Sequence, residues 1–345
     1  MRLRRIGLHQ VPEIGLGCMN LSHGYGGVPS PEGAVALLQR AYDLGVRHFD
    51  TAALYGFGHN EELVGRWMQP FRKEIHLASK CGMQGVNGQR VIDGRPETMR
   101  ATLEDSLRRL NTDFIDLYYL HRWDKNNVPL EESVGALADM LREGKIGGIG
   151  LSEVSAATLR KAHEIHPVTA VQNEYSLWTQ NPEIALSSAC QELGVALVAF
   201  SPMTRGFFCG DLNPEQFSAK DIRCNMPRFQ EPHFSANRQN LLPGMRQLAR
   251  EAGCTPAQLL LAWLLSRGEH VIPIPGTTKV SHLEDNLGAA EVTVAPEVLG
   301  RLNALVNPQT VQGPRYPAAT QAEIDTEQFP FESPSQSRST PHSGS

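Results

Sequence analysis

The sequence predicts a single eight-unit β/α barrel, a (β/α)8 fold. Three observations lead there: eight short apolar runs, helix-patterned segments between them, and no nucleotide-binding glycine fingerprint after the first run. The runs are Ile14–Met19, Arg47–Ala52, Ile75–Lys80, Ile115–His121, Ile146–Ser152, Ala170–Tyr175, Ala196–Pro202 and Val271–Gly276. Near-continuous apolar strands that alternate with helices describe a parallel sheet covered on both faces, and eight such units describe a closed barrel. The rival is an open doubly wound sheet. It calls for GxGxxG after its first strand, and Gly15-Leu16-Gly17-Cys18-Met19-Asn20 lacks the third glycine.

Taken in order, the first helix-patterned segment is Glu32–Leu44. Ser30 is its N-cap, Pro31 its first helical residue and Gly45 the residue just past its end. Asn60–Met68, Glu97–Leu110, Leu130–Glu143, Ala156–Ile165, Pro182–Leu193 and Pro256–Ser266 follow. In the third segment Leu103, Leu107 and Leu110 form an apolar stripe of helical period. Two stretches break the rhythm. Between Pro202 and Pro256, rich in Gly and Pro, the reading is a long loop after the seventh strand, a place where loops are functional. Beyond Asn307 the reading is a C-terminal extension, 308–345, outside a barrel of 1–307. Within it, 307–331 is a candidate to drape over the barrel mouth, and the serine-rich 333–345 is expected to be disordered.

Charge and composition exclude several functions. Lys and Arg number 32 against 37 Asp and Glu, a net charge of −5 that argues against a nucleic-acid partner, which would call for a basic patch. No run of about 18 apolar residues predicts a membrane span. The basic start, Met1–Arg5, is not followed by an apolar signal core, so a cytoplasmic protein is expected. The six cysteines have no CxxC spacing and read as scattered reduced thiols. His163 and His166, three apart, have no third ligand near them, and no metal is expected.

In a barrel, chemistry sits where strands end and βα loops begin. Those positions hold Asp50 and Tyr55 after the second strand, Lys80 at the end of the third and His121 at the end of the fourth. A phenol with an ordinary pKa of about 10 is a poor proton donor at neutral pH, and a neighbouring ammonium lowers that value. Lys80 can supply the ammonium, Asp50 can hold Lys80 in place and charged, and His121 can hydrogen-bond a carbonyl. The set suits protonation of an oxyanion while another group delivers hydride. Lys is almost never buried unpaired, so Lys80 is the member hardest to explain by packing alone.

The stretches FDTAALYGFGHNEELVG (49–65), ASKCG (78–82), LRRLNTDFIDLYYLHR (107–122), GKIGGIGLSEVS (144–155), AVQNEYSL (170–177), AFSP (199–202) and IPIPGTTKVSHLEDNLGA (272–289), together with GLGCMNLSHGYG (15–26), resemble the aldo-keto reductases. They run in family order over about the first 290 residues, and their style is similar to the bacterial and fungal open-chain oxidoreductases, relatives of the potassium-channel β-subunit group. The resemblance implies Tyr55 as general acid, Lys80 and Asp50 as its modulators and His121 as the group orienting the carbonyl. It implies NADPH, or more weakly NADH, bound across the mouth. Ser152 and Gln172 would hold the carboxamide, Phe200 would stack on the nicotinamide, and Cys18 and Met19 with Asp50 would face its ribose. Ser201, Pro202, Met203 and Arg205 would form the pyrophosphate loop. Gly276, Thr277, Thr278 and Lys279 would form the 2′-phosphate pocket, with His282 beside it and Asp285 and Asn286 near the adenine. Lys279 supplies the cation and the threonines the hydroxyls that a phosphate needs.

Several residues depart from the family pattern. Glu153 stands where Asn is common, Thr278-Lys279 where Lys-Arg is common, Cys81 where Phe is usual, and Met203-Thr204 where Leu-Gly is usual. These departures bear on cofactor geometry and on the strength of the NADPH preference, not on reaction class. Met19, Tyr25, Phe57, Trp123 and Trp178 are the expected substrate walls, and their aromatic character points to a bulky or flat carbonyl compound. The function read is carbonyl reduction, reversible to alcohol oxidation. A slow, NADPH-sensing regulatory subunit is the alternative, and a phosphate-binding barrel isomerase is a more distant one. Substrate identity and oligomeric state are not read from the sequence.

Overall fold

The computed structural model describes residues 1–332; the expected disorder of 333–345 lies outside them. An antiparallel hairpin, β1 (Leu3–Ile6) and β2 (His9–Pro12), precedes the barrel. The barrel strands are β3 (Leu16–Gly17), β4 (His48–Asp50), β5 (His76–Cys81), β8 (Leu117–Leu120), β9 (Ile149–Ser152), β10 (Ala170–Glu174), β11 (Ala196–Phe200) and β12 (Val271–Pro273). A second hairpin, β6 (Met83–Val86) with β7 (Gln89–Ile92), rises from the end of β5. The eight barrel strands are parallel and each neighbours the next in sequence. Closure comes from Gly15 N–H donating to the Pro273 carbonyl (3.0 Å) and Gly17 N–H to that of Pro275 (3.4 Å). Each of the eight predicted apolar runs coincides with one of these strands, β5 alone running one residue past its run, to Cys81.

Alternation along β8 shows how the barrel fills. Tyr119 points inward and packs with Ala78, Ala170, Ala196, Val198, Ile272 and Ile274, while Tyr118 and Leu120 join the outer core beneath the helices. Gly150 on the adjoining strand makes room for the Tyr119 ring, because a Cβ there would lie 2.2 Å from it. Ile6 and Val11 of the first hairpin join the same inner cluster. Arg4 donates to the carbonyls of Leu265 and Gly268, which lie before β12, so this hairpin seals the end of the barrel opposite the functional loops.

The helices are α1 (Pro31–Asp43), α2 (His59–Met68), α3 (Pro96–Leu110), α4 (Leu130–Arg142), α5 (Ala156–Ile165), α6 (Leu186–Leu193), α7 (His233–Glu251), α8 (Pro256–Leu265), α9 (Val280–Gly288), α10 (Pro296–Leu305) and α11 (Ala318–Ala322). The α1 cap is as read: the Ser30 hydroxyl accepts from Gly33 N–H at 3.1 Å, with Pro31 at the first position. Leu103, Leu107 and Leu110 are buried along α3.

One reading is corrected. The stretch after the seventh strand is not a loop throughout, because α7 occupies 19 of its residues. Pro243 inside α7 masked it, since proline removes an internal hydrogen bond and disfavours helix. Burial of Phe234, Leu241, Leu242, Met245 and Leu248 overrides that cost.

The segment after α10 crosses the barrel mouth. Asn237 and Gln312 exchange hydrogen bonds of 2.9 and 2.8 Å. Arg315 pairs with Glu153 beyond β9, and Asp325 N–H donates to the Glu153 carbonyl at 3.0 Å. Asp325 also accepts from the Ser155 and Thr158 hydroxyls at the start of α5. Lys125 donates to the Ile324 carbonyl, and Arg90 of β7 pairs with Glu323. Residues 312–325 thus span from α7 to the second hairpin.

Candidate active site

Asp50, Lys80 and His121 sit at the ends of three adjacent strands, β4, β5 and β8, and Tyr55 lies in the turn just after β4. Lys80 is fully buried, and its Nζ donates to Asp50 Oδ1 at 2.5 Å, to the Thr51 carbonyl at 2.8 Å and to the Tyr55 hydroxyl at 3.3 Å. All three ammonium donors therefore have acceptors, which is what a buried lysine requires. Burial opposes its charge, but Asp50 and then Tyr55 outweigh it, and the ammonium is held above the ordinary lysine value. Asp50 Oδ2 accepts from the Gln172 amide at 2.7 Å, so the carboxylate is gripped from both sides of the barrel.

Tyr55 differs from the expectation for a phenol beside an ammonium. Burial pushes it above its ordinary value; Lys80 is the largest influence the other way but does not reverse the balance. The phenol is thus firmly protonated at neutral pH. Because its oxygen accepts from Lys80, its own proton is free to be donated elsewhere. The Tyr55 and His121 rings meet edge to face at 5.8 Å, and the His23 ring lies 5.3 Å from that of Tyr55. Burial, then Arg122 and Lys80, hold His121 well below its ordinary value, so the imidazole is neutral. Its Nδ1 is buried and has no hydrogen-bond partner among the described residues.

The candidate cofactor residues line the opposite arc of the mouth. Cys18 is buried with its N–H on the Asp50 carbonyl at 2.8 Å, and Met19 opens the turn that follows. Ser152 accepts from Arg122 at 3.3 Å. Phe200, at the end of β11, is half-buried against the inner cluster. In the turn after it Ser201, Thr204 and Arg205 adopt positive φ (51, 52 and 53°), while Pro202 and Met203 complete the bend. Three non-glycine residues in that region mark a turn held under strain, a feature that clusters at ligand sites. Beyond β12, Gly276 leads to Thr277, whose Oγ1 accepts from Lys279 N–H at 3.1 Å just before α9. The Lys279 side chain is exposed and has no ion-pair partner among the described residues. His282 is exposed, Asn286 is buried, and the Asp285 carboxylate accepts from the Thr255 hydroxyl at 3.0 Å.

Two placements differ from expectation. Arg205 is not a free cation in its turn: its Nη2 donates to Glu174 Oε2 at 2.7 Å and to the Tyr316 hydroxyl at 3.0 Å, and its Nη1 approaches the Tyr25 hydroxyl at 3.4 Å. Trp178, expected on the substrate wall, is 5% exposed and stacked on Phe207 at 4.3 Å, with Phe208 and Phe229 against its other edges. It is a packing residue that offers no open ring. The other expected walls stay near the mouth. Met19 and Tyr25 lie on the first loop, Phe57 is 60% exposed and packs on Gly85 of the second hairpin, and Trp123 donates to the Val128 carbonyl at 2.9 Å.

The family model described as Aldo/keto reductase family matches residues 13–307. The chain belongs to this family. It is 40% identical over 337 residues to an aldo-keto reductase of Schizosaccharomyces pombe named for NADP(+), a match covering 95% of this chain and 98% of the relative. To a probable aldo-keto reductase of Glycine max it is 41% identical, covering 89% of both chains. Among solved structures, a glycerol dehydrogenase from Gluconobacter oxydans superposes with a TM-score of 0.81 at 27% identity, covering 92% of this chain and 98% of that one. An aldo/keto reductase from Klebsiella pneumoniae solved with NADP and acetate superposes with a TM-score of 0.69 at 27% identity, covering 91% and 98%.

Proposed function

We propose that this aldo-keto reductase reduces an aldehyde or ketone to its alcohol with NADPH, and runs the reverse oxidation. The observation that carries the reading is the buried Asp50–Lys80–Tyr55 chain beside a neutral His121. A packing role does not call for a lysine with every donor satisfied and one of them on a phenol. The dinucleotide suits the residues at the mouth: the Ser152 hydroxyl, the Gln172 amide and Phe200 for the nicotinamide end, and Thr277, Thr278 and the exposed Lys279 for a 2′-phosphate. Lys279 is the ground for preferring NADPH to NADH. When bound, NADPH supplies the hydride.

The chain's own residues supply the rest. Tyr55 donates the proton to the carbonyl oxygen as negative charge develops there, and Lys80 stabilises the phenolate left behind. Asp50 keeps Lys80 charged and aimed, and Gln172 keeps Asp50 aimed. His121, neutral, can offer an N–H to the same oxygen without placing a second positive charge beside Lys80. Met19, Tyr25, Phe57 and Trp123 would give the substrate side an aromatic rim suited to a bulky or flat carbonyl compound.

A panel of aldehydes and ketones with NADPH and NADH, run in both directions, tests this. Substrate-dependent loss of NADPH absorbance supports the reading. Binding of NADPH with no turnover of any carbonyl would contradict it and favour a nucleotide-sensing regulatory protein.

A further inference from the structure

Glu153, one of the residues that departs from the family pattern, belongs to a buried group of four charges. Its Oε1 accepts from Glu174 N–H at 2.8 Å and its Oε2 pairs with Arg315. Arg315 Nε lies 3.7 Å from Glu174 Oε2, the same oxygen that Arg205 Nη2 holds at 2.7 Å. All four side chains are at most 7% exposed. Two carboxylates and two guanidiniums balance, as buried charges must. Glu153 and Glu174 stand on the barrel, at the ends of β9 and β10; Arg205 stands on the turn after β11. Arg315 comes from the C-terminal segment, outside the matched residues 13–307.

From this geometry we infer that Arg315 is a positioning residue for dinucleotide binding, acting through Glu174 to set how readily Arg205 can turn to a pyrophosphate. The inference rests on the dinucleotide reading of the site. Turning the Nη2 edge of Arg205 to a phosphate loosens its bond to Glu174. With Arg315 beside Glu174 and Glu153, the carboxylates keep a cation when Arg205 turns away. Without Arg315, the departure of Arg205 leaves Glu153 and Glu174 with no guanidinium in direct contact, only the more distant Arg228 that Glu332 already balances, and this cost holds Arg205 where it is. Arg315 thereby couples the C-terminal segment, and the mouth it crosses, to the affinity for cofactor. This also gives Glu153 a purpose: its carboxylate is turned to Arg315, and asparagine there would provide no anion.

The sign of the effect separates this account from simple loss of structure. Arg315→Met should raise the dissociation constant for NADPH on the order of tenfold, the scale of one charge-assisted hydrogen bond. Arg315→Lys, which restores the cation, should recover most of it. Glu174→Gln should do the opposite and tighten NADPH several-fold, because it frees Arg205 and leaves the group one charge positive. Binding is read by titrating NADPH against protein fluorescence, with the unfolding temperature of each full-length variant recorded without cofactor. Equal affinity in wild type and Arg315→Met, or weakened affinity in Glu174→Gln, would overturn the inference. If Arg315→Met fails to fold, Glu174→Gln and Arg315→Lys carry the test. Failure of the wild type to bind NADPH would instead overturn the dinucleotide reading itself.

Discussion

The two arcs of the barrel mouth are built on different principles. On the arc of β4, β5 and β8, the charged pair beside the phenol, Lys80 and Asp50, stands on the barrel itself, locked between neighbouring strands. On the arc of β9, β10 and β11, the charges are shared with a strained turn and with a segment more than 100 residues further along the chain. The first arc is fixed before any ligand arrives, as a proton donor must be. The second places its cations on the turn after β11 and on the C-terminal segment, and under the proposed function it is the half that would meet the dinucleotide. Under the proposed function, reaction chemistry and cofactor exchange fall to separate halves of one rim.

Substitutions can break this contrast, and the largest effect is expected on the arc of β4, β5 and β8. Lys80→Met should lower reduction on the order of 10²–10⁴-fold, the usual range for losing control of proton transfer. It should also cost about 3–5 kcal/mol of stability, because Asp50 is left as a buried, uncompensated carboxylate. Steady-state rates and denaturant unfolding measure the two, and a variant with near-normal activity would remove Lys80 from the chemistry.

Next in size is Trp178→Ala. As a core aromatic it should lose about 3–5 kcal/mol of stability. A large change in substrate preference without loss of stability would return Trp178 to the substrate wall.

Beyond β12, Lys279→Ala should weaken NADPH roughly five- to tenfold and leave NADH almost unchanged, since only the former brings a 2′-phosphate. Equal losses for both cofactors, measured by titration, would end the phosphate assignment. The smallest effect is expected at Phe57, exposed on the rim: Phe57→Ala should change stability by no more than about 0.5 kcal/mol, with any effect confined to KM for the carbonyl.

The pH dependence sharpens the same contrast. Burial keeps Tyr55 protonated, so the donor needed for reduction is present throughout the neutral range. Alcohol oxidation needs the phenolate instead. Its rate should rise with pH from neutrality towards the ordinary tyrosine value of about 10, while reduction stays flat. Oxidation that declines as pH rises would contradict Tyr55 as the base. His121 is held neutral, so no limb near the ordinary histidine value should appear in either direction.

The same division governs what the sequence discloses. The eight strands are legible because each is a local apolar run, and Asp50, Tyr55, Lys80 and His121 are legible because strand ends mark themselves. The net upward displacement of Tyr55 is not: it depends on how deeply the folded chain buries the phenol, against which the lysine's charge is the smaller influence. Arg205 illustrates the limit most clearly. Its place in the turn after β11 can be read from neighbouring residues, but its partner Glu174 lies 31 residues away and Tyr316 lies 111 away. No local pattern predicts those pairings. The hairpin β6–β7 does carry a local signal: Asn87-Gly88, both with positive φ (51 and 76°), is the favoured dipeptide of a two-residue turn. Helix α7 also carried a helical apolar period, concealed by Pro243.

The central claim is that Tyr55 supplies the proton while the opposite arc holds the cofactor. Its most direct test is Tyr55→Phe, with NADPH affinity and carbonyl reduction measured on the same preparation. The account predicts an unchanged dissociation constant for NADPH and a maximal rate lowered on the order of 10²–10⁴-fold. Reduction at close to the wild-type rate would contradict it.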